Sequence, residues 1–191
     1  MRPPRIIKPY VKSFTRHVVN TAGDVDLRYL PCAPLNRLSD GDCFPCVEEY
    51  AKANGGVPAL GWAIWEYPKA FIEAEFHSVW QSPDGELHDV VPRQEPPVRI
   101  LFVRDTRRSY SGRQVDNIRK PLTNDKTVKQ FLLLCRRQFE IENEGDLADY
   151  YGSMEGRITP EMISVNEQQM IAQEKILQRF GAWTPEPREP F

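Results

Sequence analysis

One alternating stretch in the middle of the chain constrains the fold more than any other feature. Residues 70–80 read AFIEAEFHSVW, and apolar side chains occupy every second position from Ile72 to Phe76. A period of two is typical of a half-buried strand, and it places His77 on the face opposite Phe76. The following SPDG suits a tight turn with proline in its second position, and ELHDVV then returns beside the first strand. Residues 70–91 therefore predict an antiparallel hairpin.

The register of this hairpin brings two polar side chains together. A turn at residues 82–85 with a bulge at Gly85 pairs Gln81 with Leu87. Asp89 then becomes the diagonal neighbour of His77 on the same face, at about 7–8 Å between the two Cα atoms. A slip of one residue would place the two side chains on opposite faces of the sheet. The hairpin thus predicts an imidazole–carboxylate pair in an otherwise apolar stretch.

Helical and strand patterns lie on both sides of the hairpin. Proline in the first turn and Gly55-Gly56 at the end predict a short helix over about residues 44–54. Strands are predicted at 60–66 and 98–104, a second helix at 125–142, and a last helix from the Thr159-Pro160-Glu161 cap to Phe180. Helix, then antiparallel strands, then helices is the order of an α+β fold, not of alternating βαβ units.

We expect the 191 residues to divide into five segments. They are an irregular N-terminal segment at 1–42 with strand-like pieces at 16–20 and 26–30, an α+β core at 43–104, a basic loop at 105–124, a helical extension at 125–181 and a proline-rich tail at 182–191. A chain of this length can bury one substantial core.

Composition restricts the compartment and the class of partner. No apolar run approaches the roughly 20 residues of a membrane span, and the basic N-terminus is not followed by the apolar region of a signal peptide. We therefore expect a cytoplasmic protein whose four cysteines are free thiols, ligands or catalysts and not a disulfide framework. A formal net charge of −2 indicates no general affinity for nucleic acid or membranes.

Three residues along the chain fit the requirements of a cysteine nucleophile. Cys43 stands at a predicted helix N-terminus, where the helix dipole favours the thiolate and backbone N–H groups can hold an oxyanion. His77 has the ordinary pKa range of a general base. Asp89 is placed to accept the second imidazole N–H and to fix the tautomer. We predict a Cys43–His77–Asp89 triad and expect no cofactor.

The order of these residues resembles that of the papain-like and transglutaminase-like cysteine enzymes, including their NlpC/P60 branch. More narrowly, C-x-x-x-V, GG, GWAIWE, IEAEFHSVW and PDG-x-x-x-D-V-x-P over about residues 40–92 are similar to a small bacterial and phage family. That family has Asn where this chain has Cys46 and Thr where it has Val91. The resemblance implies a papain/transglutaminase-like core, with Cys43 as nucleophile, His77 as base and Asp89 as the orienting residue. It implies hydrolysis or acyl transfer at an amide or ester carbonyl.

Other interpretations of the same residues stay open. CFPC at a helix start is the motif of thioredoxin-like oxidoreductases, and Val91-Pro92 could stand for their cis-proline. That fold, however, needs a helix where residues 60–91 predict strands. Cys43, Cys46 and His77 with one further ligand could instead hold zinc. The domain could also be a non-catalytic interaction module.

The arginines near the end of the predicted core indicate the charge of the partner. Four arginines lie at the end of the strand at 98–104 or in the loop after it: Arg104, Arg107, Arg108 and Arg113. Positive charge near a cleft speeds the association of acidic partners. We expect a protein or other macromolecular substrate with an acidic surface, with a nucleic acid as the alternative and no membrane partner.

Overall fold

The computed structural model describes residues 1–35, 42–93, 97–145 and 157–182. Within them lie four α-helices and six β-strands. The helices are α1 (Pro9–Val18), α2 (Cys43–Asn54), α3 (Lys126–Glu142) and α4 (Pro160–Phe180). The strands are β1 (Leu27–Pro31), β2 (Val57–Tyr67), β3 (Phe71–Gln81), β4 (Leu87–His88), β5 (Arg99–Arg104) and β6 (Ile118–Pro121). The predicted α+β class is confirmed.

The six strands form one antiparallel sheet built around a long hairpin. Strands β2 and β3 pair along their whole length, and the order across the sheet is β1-β5-β2-β3-β4, with β6 also paired to β3. The predicted register of the following hairpin is confirmed, because Gln81 pairs with Leu87. Its turn is closed by the Gly85 N–H donating to the Ser82 carbonyl at 2.9 Å, and Gly85 has φ +89°. This left-handed φ explains the choice of glycine there.

Backbone hydrogen bonds bring the two edges of the sheet together. Asp89, just after β4, donates its N–H to the Pro31 carbonyl at 3.1 Å and accepts from the Ala33 N–H at 2.9 Å. The Leu35 N–H extends the contact to the Val90 carbonyl at 3.1 Å. The sheet is therefore nearly closed, and Asp89 lies in the segment that closes it.

Apolar side chains fill both faces of the sheet. Helix α1 packs Val11, Phe14 and Val18 against the outer face, on which Trp62 and Ile64 lie. The inner face is lined by residues from five strands: Leu30, Ala59, Ala63, Trp65, Val79, Leu87, Ile100 and Phe102. His77 belongs to the inner face, because it lies two positions from Val79 on β3 and pairs with Gly61 of β2. Within the described residues, no helix is long and apolar enough to cross a membrane.

The structure differs from the sequence-based expectations in three places. Residues 9–18 form α1, whereas a strand-like piece at 16–20 in an irregular segment was expected. The returning strand is only two residues long, because Asp89 leaves the pairing with β3 to join the segment after β1. Strand β6 lies inside the expected loop at 105–124. The tail at 183–191 lies outside the described residues.

Candidate active site

Cys43 is the first residue of α2, and its surroundings determine which backbone donors are available. The Asp42 carboxylate caps the helix by accepting the Phe44 N–H at 3.0 Å, and Pro45 has no N–H to offer. The Cys43 N–H, in the first turn, has no intrahelical acceptor. Of the two N–H groups that flank the thiol, the one at Cys43 itself is therefore the better placed to receive an oxyanion.

Helix α2 is held against the hairpin, where Phe44 contacts Phe76 and Tyr50 contacts Trp80. Cys43 and Val47 pack with Val90 and Val91, the residues that follow Asp89. At the other end, Gly56 has φ +80°, and a Cβ there would lie 2.1 Å from the Gln81 carbonyl oxygen. Only glycine allows this close approach between the helix end and β3. The predicted Gly55-Gly56 stop is confirmed, because α2 ends at Asn54.

The predicted pairing of His77 and Asp89 is observed. The imidazole Nε2 lies 3.2 Å from Asp89 Oδ1, and the two side chains are 1% and 0% exposed. Asp89 is held in place by its backbone bonds to Pro31 and Ala33, and its Oδ1 also accepts the Val91 N–H at 3.3 Å. A buried carboxylate with fixed partners orients the imidazole in the way that a general base requires.

The other imidazole nitrogen is directed away from Asp89 and lacks a partner. Nδ1 of His77 is buried without a hydrogen bond of good geometry to any described residue. Cys43 is nevertheless close enough to interact with the ring through its thiol. Since Asp89 and Arg93 both contact Nε2, we infer that Nδ1 is the nitrogen that faces Cys43.

Electrostatics in the site favour a charged imidazole. Burial alone would lower the pKa of His77, but the hydrogen bonds and charges of Asp89 and Cys43 outweigh burial and raise this pKa to about 10. Burial would likewise raise the pKa of Asp89, yet His77 and Arg93 hold it below its ordinary value. The geometry and the charges thus both support a His77 imidazolium paired with the Asp89 carboxylate.

The four cysteines are free thiols in different surroundings. Burial, reinforced by the Asp89 charge, raises the pKa of Cys32 to about 12, and its Sγ lies 3.7 Å from Asp89 Oδ2. Burial raises the pKa of Cys135 to about 11. Both therefore stay protonated at neutral pH.

The arrangement gives little support to the redox and zinc alternatives. Cys43 and Cys46 open a helix that is followed directly by the antiparallel β2–β3 hairpin, and the Val91–Pro92 peptide bond is trans. The Cys46 side chain, on the same helix, is buried. In the described part of the chain, no group of three or more His, Cys, Asp and Glu side chains is arranged to hold a metal ion.

The predicted basic loop is placed near the thiol, but part of its charge is neutralised. Arg107 donates to Asp105 at 3.0 and 3.2 Å, and Arg108 lies 3.8 Å from the same carboxylate. Arg104 and Arg113 are exposed. Tyr110 connects the loop to the helix N-terminus, donating its hydroxyl to Asp42 at 3.1 Å and stacking on Phe44 at 3.7 Å between ring centroids.

Two site residues were not predicted from the sequence. Arg93 and Cys32 both contact Asp89 Oδ2, the oxygen that His77 does not use. Neither has a pattern of its own, since Arg93 lies past the hairpin and Cys32 is brought to Asp89 by closure of the sheet. Comparison with family models, curated proteins and solved structures gave no significant match. The site is therefore interpreted from its own geometry.

Proposed function

We propose that this protein is a cysteine hydrolase or acyltransferase that acts on an amide or ester carbonyl. The observation that supports this most directly is the buried series Cys43, His77 and Asp89, in which Nε2 of the imidazole contacts a fixed carboxylate and the ring also interacts with the Cys43 thiol. A helix that presents a cysteine to a nearly closed antiparallel sheet is also what a papain/transglutaminase-like core would require. Free thiols suit the reducing cytoplasm.

The chemistry follows from these positions. The Cys43 thiolate attacks the carbonyl carbon, and the oxyanion that forms is held by the Cys43 N–H. The His77 imidazolium donates its proton to the leaving amine or alcohol as the bond to carbon breaks, which leaves a thioester on Cys43. As water or an acceptor amine attacks the thioester, His77 takes a proton from it, and the Cys43 thiolate leaves while His77 is again an imidazolium. Hydrolysis of a main-chain amide or an ester and deamidation of a side-chain amide both end with attack by water, whereas cross-linking ends with attack by an amine.

The first prediction tests the nucleophile with p-nitrophenyl acetate as an ester probe. Cys43→Ser should lower turnover by about a hundredfold or more, and His77→Gln should slow both acylation and deacylation. Cys135→Ser is the matched control and should retain wild-type turnover. Mass spectrometry of quenched wild-type protein should place the acetyl group on Cys43.

Cys46→Ser separates the proposed class from a redox protein. A triad needs one thiolate, so this variant should keep most of its activity, whereas a CxxC cycle needs both thiols. Equal loss in Cys43→Ser and Cys46→Ser, with the pair titrating as a reversible disulfide, would assign the protein to the redox class.

We further propose that the substrate is a macromolecule with an acidic surface. Tyr110 ties the basic loop to the two residues that flank Cys43, and the exposed Arg104 and Arg113 lie six and three residues from Tyr110 along the chain. Arg107 and Arg108 contribute less net charge, because Asp105 pairs with both.

The second prediction tests this steering with two small alkylating agents, one negatively charged and one neutral. Negatively charged iodoacetate should alkylate Cys43 faster, relative to neutral iodoacetamide, at low ionic strength than at high ionic strength. Arg104→Glu should lower the rate ratio several-fold at low salt, and Arg136→Glu on α3 should leave it unchanged. A ratio that responds to neither salt nor Arg104→Glu would show that the charge of the loop does not steer anions to Cys43.

A further inference from the structure

Arg93 extends the buried series beyond the three predicted residues. Its Nη1 donates to Asp89 Oδ2 at 2.5 Å, and its Nη2 lies 3.4 Å from His77 Nε2. The guanidinium also lies over the Trp65 ring at 5.9 Å, and only 21% of the side chain is exposed. One guanidinium therefore contacts both members of the His77–Asp89 pair.

The charges that surround His77 show what this contact does. Cys43 faces the ring from α2, and Asp89 faces it from the segment after β4. Glu75, two positions away on β3, interacts with Arg93 and accepts the Trp65 indole N–H at 2.7 Å. The neighbouring inner-face positions on β2 are Ala59, Gly61 and Ala63, while Cys32 after β1 stays a neutral thiol. Arg93 is thus the permanent positive charge that faces the Asp89 carboxylate.

We propose that Arg93 is a positioning residue, whose guanidinium compensates the Asp89 charge and allows His77 to both release and accept a proton. Without Arg93, the buried carboxylate would have His77 as its one charged partner among the described residues, and the site would carry a net negative charge whenever the imidazole became neutral. Such a site holds the imidazolium proton tightly. With Arg93 in place, Asp89 stays paired in both protonation states of His77.

The guanidinium also acts on the imidazole directly. An arginine side chain has five N–H donors and no acceptor, so its contact with Nε2 is favourable only when that nitrogen carries no proton. Arg93 and Asp89 therefore act in opposite senses on Nε2, one favouring its deprotonated form and the other its protonated form. The proposed reaction needs this balance, because His77 donates a proton to the leaving group and later accepts one from water. The catalytic meaning of Arg93 rests on the proposed function, but its effect on His77 does not.

The third prediction is a titration of His77 by nuclear magnetic resonance. The chain has three histidines, and the ¹⁵N signals of His77 are identified by their absence in His77→Gln. In the wild type, His77 should be about half protonated near pH 10. In Arg93→Met, the midpoint should rise by about one pH unit or more, since a like charge within about 6 Å of the imidazolium has been removed. The neutral ring of Arg93→Met should also carry its proton on Nε2 more often than the wild-type ring does.

Three variants make the outcome decisive. Arg93→Lys keeps the charge and should restore most of the wild-type midpoint, and Arg136→Met on α3 removes a surface arginine and should change nothing. If Arg93→Met does not fold, Arg93→Gln, which keeps amide donors without the charge, should show the same upward shift. A folded Arg93→Met or Arg93→Gln with an unchanged or lowered midpoint overturns the proposal for Arg93.

Turnover of p-nitrophenyl acetate separates this result from that of the proposed function. In Arg93→Met, acylation should persist while deacylation slows, so that acetylated Cys43 accumulates. A shifted His77 midpoint without any Cys43-dependent turnover in the wild type would support the role of Arg93 and refute the hydrolase. Turnover that depends on Cys43, with no change in either the midpoint or deacylation in Arg93→Met, would support the hydrolase and refute the role of Arg93.

Discussion

At the scale of single residues, the charge on His77 links the site to the stability of the fold. Asp89 and Cys43 outweigh burial and hold the pKa of His77 near 10, above its ordinary value of 6.5. A pKa that is higher in the folded than in the unfolded chain stabilises the protein fully below about pH 6.5. This stabilisation is lost as the pH rises through about 10.

The fourth prediction follows from that direction. Between about pH 7 and pH 10, the free energy of unfolding of the wild type should fall relative to that of His77→Gln, which cannot titrate. The change should be on the order of a few kcal/mol. Urea unfolding at each pH measures it, and His17→Gln at the exposed end of α1 is the matched control that should follow the wild type. Parallel pH profiles for wild type and His77→Gln would show that His77 is not charged in the folded protein.

The residue scale also shows how far the site could be predicted. The period of two fixes the face of His77, and the turn at Gly85 fixes its distance from Asp89, so both are local properties of the chain. Arg93 lies beyond the end of β4, so the alternating pattern of the strands gives no sign that its side chain contacts the pair. Cys32 is 57 residues from Asp89 along the chain and reaches it through backbone pairing between distant segments.

At the scale of elements, prediction succeeded where local signals agree. Helix α4 begins at its Thr159 cap with proline next and is followed by Gly181, as predicted. Helix α3 begins after Asp125, whose carboxylate accepts the Thr127 and Val128 N–H groups. In both helices, capping residues and the apolar stripe indicate the same bounds.

Helix α1 was missed because its local signals conflict. Its buried residues Val11, Phe14, Thr15 and Val18 have helical spacing, but three of them are β-branched and suggest a strand. The Thr15 hydroxyl donates a hydrogen bond to the Val11 carbonyl at 3.0 Å. Packing of the apolar side chains of α1 against the sheet stabilises the helix over a strand. Strand β6 was missed because four residues are too few to show a period.

At the scale of the whole molecule, closure of the sheet and formation of the site are one event. Asp89 receives its backbone partners from the segment after β1, and its side chain then receives His77, Arg93 and Cys32. The sequence alone could not show this closure, because pairing between residues about 57 positions apart leaves no local pattern. The N-terminal segment packs on the outer face of the same sheet through α1, and its polar side chains bind one buried carboxylate of β2.

Glu66 at the end of β2 is that carboxylate, and the last prediction concerns its role in holding the N-terminal segment. It is 0% exposed, and its oxygens accept from Arg2 at 3.2 Å, Lys8 at 2.8 Å and Tyr10 at 2.5 Å. Glu66→Gln removes the charge at nearly constant shape and should lower the free energy of unfolding by about 2 kcal/mol, less than for a fully buried pair because the two cations are partly solvated. Hydrogen exchange measured by mass spectrometry should rise in residues 9–18 of α1 before it rises in β2 and β3. Glu161→Gln, which loses only a surface pair with Arg137, should exchange like the wild type. If α1 stays as protected in Glu66→Gln as in the wild type, the apolar face of α1 alone holds the N-terminal segment on the sheet.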